Sequence, residues 1–174
     1  MVICNLVGRC NLTCKHGYSS SADKDFPGEL NTSEVYTVMD DLKAFGVPVL
    51  ILSGGEPLLR PDIFDISQRA KAMGFYTALS TNGTLIGADN IEAIAAVGYD
   101  YLGISIDGTR ETHDRFRRKQ GAFDAALDGL RRCHDHGIKV RLRFTPTRAN
   151  ANDLPARPGV MEHDRAAKSH LSPP

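Results

Sequence analysis

Five short runs rich in Val, Ile, Leu and Tyr alternate with segments of helical spacing along this chain. The runs are Met1–Val7, Val49–Ser53, Tyr76–Thr81, Tyr101–Ile106 and Lys139–Thr145. Between them apolar residues recur every three or four positions: Val35, Met39 and Leu42; Ile63, Ile66, Ala70 and Met73; Ile91, Ile94 and Val97; Phe123, Ala126, Leu130 and Cys133. Thr32 or Ser33 is the expected N-cap of the first helix, and Pro61 the expected first position of the second. Gly46, Gly74, Gly98 and Gly137 each stand between a helix and the next strand, where a left-handed cap is wanted. The order βαβαβαβαβ with right-handed crossovers predicts an α/β fold with a parallel sheet and helices outside it. Periodicity leaves open whether that sheet stays flat or curls toward a barrel.

The rhythm ends near Phe144. Four of the nine prolines lie at Pro155, Pro158, Pro173 and Pro174, and no apolar period follows. Residues 1–146 therefore read as the core, and 147–174 as an irregular, disordered tail with one short helical turn near Met161. Lys+Arg and Asp+Glu number 21 each, which speaks against a general nucleic-acid binder. The longest apolar runs, such as Val47–Leu52, are too short for a membrane span. Four cysteines without a secretory signal fit free thiols in a reducing compartment, or a metal or cluster site, in a cytoplasmic protein.

In parallel α/β folds, ligands sit at the carboxyl ends of the strands. Here the first strand runs into "CNLTCKHGYSSSAD", with Cys10 and Cys14 at ligand-like spacing. The second ends in "LSGGEPLL", the third in "LSTNGT", the fourth in "GISIDGT", and the fifth in "RLRFTPT". Each piece has a plain alternative. "GGEP" and "TNG" serve as turns, Asp107-Gly108-Thr109 starts a helix, and Arg141 and Arg143 alternate toward solvent. Convergence of five polar, glycine-rich strand ends favours a pocket.

Taken in order, these residues resemble the radical SAM enzymes over about residues 2–154. The family pattern Cys-x3-Cys-x2-Cys is matched at Cys10 and Cys14, and the glycine-rich motif in full at Gly54, Gly55, Glu56 and Pro57. The wording "CNLTCKH", "YSSSAD", "FPGEL" and "LSGGEPLLRPDIF" is similar to members of heme d1 biosynthesis and to other porphyrin-modifying relatives. The resemblance implies a partial (β/α)6 barrel, truncated after about the fifth strand, with a [4Fe-4S] cluster and S-adenosylmethionine (SAM) as cofactors. It implies a 5′-deoxyadenosyl radical, an electron donor, and a small-molecule substrate such as an iron tetrapyrrole.

Carried over, Cys10 and Cys14 are cluster ligands, and Gly54, Gly55, Glu56 and Pro57 line the methionine end of SAM. The resemblance places Tyr18 near the adenine, Ser80 and Asn82 toward the cofactor, Ser105 and Asp107 at the ribose, and Arg143 at the carboxylate. The chain departs from the pattern at Gly17, which stands where the third cysteine belongs and carries no side chain. Cys4 is six residues from Cys10, roughly 20 Å along an extended chain. Cys133 reads as a buried small hydrophobe at the far end of the fold. His16 is a ligand type known from Rieske centres but sits one position off. Two other readings remain: a non-catalytic module for SAM or a tetrapyrrole, and a Cys/His zinc site built on Cys10, Cys14 and His16.

Overall fold

The computed structural model describes residues 1–15 and 22–156. Its five strands are β1 (Val2–Asn5), β2 (Val49–Ser53), β3 (Tyr76–Thr81), β4 (Tyr101–Ser105) and β5 (Val140–Arg143). They form one sheet in the order β1-β2-β3-β4-β5, every pair parallel. The helices are α1 (Thr32–Ala44), α2 (Ile63–Ala72), α3 (Ile91–Val97), α4 (Arg110–Arg117) and α5 (Ala122–Asp135). Strictly sequential strand order with crossovers of one hand puts all the helices on one side of the sheet. That is the wall of a barrel, not the doubly wound alternative in which strand order reverses. Among the described residues no helix is long and apolar enough to cross a membrane.

Alternation along each strand then divides the sheet into two faces. Leu50, Leu52, Leu79, Leu102 and Ile104 point to the helices and share one core with Met39, Ile63, Ile66, Ile94, Ala126 and Cys133. Ile51, Ala78 and Tyr101, with Val49 beside them, form a much smaller cluster on the concave face. Cys4 packs against the helix-side core, so it is turned away from the concave face as well as distant in sequence from Cys10.

The four glycines ahead of the strands all take positive φ, between 66° and 78°. Helix starts differ from the expected ones. The N-cap of α1 is Asn31, whose Oδ1 accepts from Glu34 N at 3.1 Å while Glu34 Oε2 accepts from Asn31 N at 2.8 Å. This capping box leaves the Thr32 hydroxyl free to donate to Asp62 instead. α2 starts at Ile63, two residues after Pro61, because a 3-10 turn over Pro57–Leu59 and an Arg60–Asp62 ion pair occupy the approach. α4 starts where the plain reading of Asp107-Gly108-Thr109 puts a helix start, with the Thr109 hydroxyl accepting from Thr112 N. Its sequence, RETHDRFR, contains one apolar residue, Phe116, and so carries no apolar period.

The segment after β5 is packed rather than loose as far as Asp153. Asn150 is fully buried, and its Nδ2 donates to the carbonyls of Asp107 and Thr145, each at 3.0 Å. A second 3-10 turn covers Ala151–Ala156, and Asp153 Oδ2 accepts from Thr109 N. The ordered core thus continues at least seven residues past position 146. Met161 and the rest of the expected tail lie outside the described residues.

Candidate functional site

The chain leaving β1 lies directly on the end of β2. Leu6 N donates to Ser53 O at 2.8 Å, Gly55 N to Val7 O at 2.6 Å, and Glu56 N to Arg9 O at 2.9 Å. A Cβ at Gly54 would stand 2.5 Å from Val7 O, and one at Gly55 2.5 Å from Gly8 O. Both glycines are therefore required by the close approach of the Val7–Arg9 backbone. Residues 22–29 fold back over the same loop. Cys10 N donates to Ala22 O, Arg9 pairs with Asp23, and Gly8 N donates to Glu29.

Glu56 turns into the protein and has no exposed surface. Thr81 Oγ1 donates to its Oε1 at 2.7 Å, Asn82 N to its Oε2 at 2.8 Å, and Leu58 N to its Oε1 at 3.1 Å. Burial pushes this carboxyl up from its ordinary range, against the pull of those three donors. The carboxylate thus ties the end of β2 to the end of β3, while Pro57 starts the adjoining 3-10 turn.

Asn82 is the hinge of one half of the site. Its Nδ2 donates to Asn11 Oδ1 at 2.9 Å and lies 3.9 Å from Cys10 Sγ, while its Oδ1 accepts from Thr84. Asn11 reaches Thr84 in turn. Cys10 is buried, and that burial pushes its thiol up. The other half centres on Arg117 of α4. Its Nη1 donates toward Cys14 Sγ at 3.6 Å, and its Nη2 pairs with Asp107 Oδ2 at 2.5 Å. Asp107, almost fully buried, also accepts from Thr145 N. Lys15 N donates to Phe116 O, so α4 holds the far end of the cysteine loop through backbone too.

The strand ends thus bring together Cys10, Cys14, Gly54, Gly55, Glu56, Pro57, Asn82 and Asp107. Ser80, Ser105 and Arg143 sit below this rim on the concave face. Arg143 Nη1 donates to Ser80 Oγ at 2.5 Å, and Ser105 is paired in register with Arg143. His16, Gly17 and Tyr18 lie outside the described residues. Arg117, Asn11, Thr84 and Asn150 are functional neighbours that sequence reasoning missed. Arg117 stands among Arg110, Arg115, Arg118 and Lys119, a run that reads as a solvated helix face. Asn150 falls in the segment read as tail.

The family description "Radical SAM superfamily" matches residues 4–151. The chain belongs to the radical SAM superfamily. It is 49% identical to the pre-heme d1 synthase of Dinoroseobacter shibae over 99% of this chain and 43% of that protein. It is 45% identical to the Fe-coproporphyrin III synthase of Methanosarcina barkeri, over 95% of this chain and 41% of the relative. An AdoMet-dependent heme synthase of the same organism is 37% identical over 88% of this chain and 44% of the relative. The chain therefore spans less than half the length of these relatives. In fold it resembles the Streptococcus suis SuiB structure bound to S-adenosylmethionine, with a TM-score of 0.79 at 15% identity over 98% of this chain and 43% of SuiB.

Membership of this superfamily implies a [4Fe-4S] cluster and SAM. The thiols of Cys10 and Cys14 suit iron, and each has a nitrogen donor beside it, Asn82 Nδ2 or Arg117 Nη1. The third position of the pattern, Gly17, has no side chain to offer. Among the described residues no three His, Cys, Asp or Glu side chains converge as a metal set. The residues present do not complete the three-thiolate set of the family.

Proposed function

We propose that this chain is the SAM-binding core of a tetrapyrrole-modifying radical SAM protein, with the glycine at position 17 limiting its cluster. The observation that carries the reading is the pairing of Cys10 with Asn82 after β3 and of Cys14 with Arg117 of α4, itself tied to Asp107 after β4. Two loop thiols are held at the ligand end of a parallel sheet by side chains from separate elements, which a plain turn does not need. The names of the relatives at 37–49% identity support the tetrapyrrole class.

Within that reading the rim residues divide by reach. Glu56 and Asp107 are enclosed and already bonded to their own chain, so they fix the geometry of the loop and the strand ends. Asn82, buried and bonded to Asn11 and Thr84, holds the loop in the same way, and Ser80 and Ser105 are the polar groups left to face a bound nucleoside and amino-acid moiety. A completed cluster would supply the electron that cleaves SAM, with an iron tetrapyrrole as the substrate and an external electron donor as the reductant.

The test is anaerobic iron–sulfide reconstitution of the chain beside its Gly17→Cys variant, followed by dithionite and SAM. The expected result is 5′-deoxyadenosine from the variant and only a trace from the parent chain. Equal product from both would show that Gly17 is no obstacle. No product and no SAM binding in either would remove the radical SAM reading of this chain's activity.

A further inference from the structure

Below the rim, the concave face carries a constellation that the cofactor reading leaves unused. The Tyr76 and Tyr101 rings lie 6.2 Å apart, tilted at 45°, and the Arg141 guanidinium carbon sits 4.4 Å from the Tyr101 centroid. A guanidinium laid on an aromatic ring uses its face for that contact and keeps its edge, with the forked N–H donors, open to a carboxylate. Among the described residues the structure shows no hydrogen bond or ion pair to that edge. Arg143, two residues on and roughly 7 Å away along the strand, is on the same face. Its side chain lies across Gly103, where a Cβ would stand 2.5 Å from Nε, and ends on Ser80.

The charge balance of this face is uneven. The concave positions of the five strands are Ile3, Asn5, Val49, Ile51, Ser53, Tyr76, Ala78, Ser80, Tyr101, Gly103, Ser105, Arg141 and Arg143. Two of these are cations and none is an acid. The remainder offer an apolar and aromatic floor of small relief, with Ile51, Ala78 and Tyr101 at its centre. A floor of this kind beside two like charges suits a flat, conjugated ligand that brings its own carboxylates.

We propose that Arg141, stacked on Tyr101, and Arg143 form a carboxylate-binding pair for the acidic side chains of a tetrapyrrole lying on this floor. The inference rests on the tetrapyrrole reading above and assigns Arg141, Arg143 and Tyr101 to substrate rather than to cofactor. The experiment titrates coproporphyrin III, followed by its Soret absorbance, into the 174-residue chain and into Arg141→Gln. The uncharged tetramethyl ester of the same porphyrin is titrated in parallel. Matching denaturation midpoints show that the variant is folded.

The expected result is binding of the acid that weakens about tenfold in Arg141→Gln, as for loss of one charge-assisted hydrogen bond, with no change for the ester. Equal binding of the acid by parent and variant would overturn this inference while leaving the tetrapyrrole reading intact. A tenfold loss for the ester as well would also overturn it, since the contact would not be to carboxylate. No binding of the acid by the parent chain would overturn the inference and the tetrapyrrole reading together.

Discussion

The apolar layer beneath the helices and the polar rim above the strands enclose their side chains equally: Leu102 in the one and Glu56 in the other have no exposed surface. They are held in different ways. The layer is a continuous set of Leu, Ile, Val and Ala contacts, in which each neighbour shares the loss when one is trimmed. The rim is a short chain of specific bonds, from Cys10 through Asn82 to Glu56 and from Cys14 through Arg117 to Asp107. Removing one member there strands a buried charge or donor, which costs more than lost contact. The lesson is that burial alone does not separate scaffold from site here; the kind of partner does.

The largest effect expected is therefore in the rim. Arg117→Ala leaves the Asp107 carboxylate buried without its guanidinium and should lower stability by about 3–5 kcal/mol in urea unfolding. Adding Asp107→Asn should recover part of that loss, and a double variant no better than Arg117→Ala alone would show that the stranded carboxylate is not what costs the stability. In the layer, Leu102→Ala should cost about 2–5 kcal/mol through lost burial and a residual cavity. A loss there below about 1 kcal/mol would mean the layer collapses around its gaps and is less tightly packed than described.

A smaller and pH-dependent difference comes from Cys133, fully buried in the layer, whose thiol is pushed from the ordinary value near 9 up to about 11 by desolvation. The sign follows from linkage. Below pH 9 the thiol is neutral in both states and contributes no slope. Between about 9 and 11 the unfolded thiol ionises and the folded one does not, so stability falls as pH rises. The full effect is about 2–3 kcal/mol. Cys133→Ala should flatten that part of the stability profile, measured by urea midpoints from pH 8 to 11. An unchanged slope would place the thiol in contact with water.

Much of the layer was legible from sequence, because apolar spacing and helix-ending glycines are local signals. β2 and β3 coincide with the runs Val49–Ser53 and Tyr76–Thr81, and the other three strands lie inside theirs. Thr109 marked the start of α4, but its body left no signal for a related reason: it is docked by Thr112, His113, Phe116 and Arg117, and a helix with one apolar residue has no stripe to read. The rim was only half legible. Gly54 and Gly55 stood out as positions of close backbone approach, and the approach they permit in this structure is to the cysteine loop. Arg117 was hidden because its partners, Cys14 and Asp107, are 103 and 10 residues away. Nothing in the spacing of a basic run tells which member turns inward.

In the proposed function the rim is a cluster-type site that lacks one thiol. The measurement that tests it most directly is iron bound per chain after anaerobic reconstitution of Gly17→Cys and of the parent, with both urea midpoints recorded. The expected result is about four irons in the variant, well under that in the parent, and midpoints of the apo chains that agree. A full four-iron cluster in the parent, or none in a variant that is as stable as the parent, would contradict it.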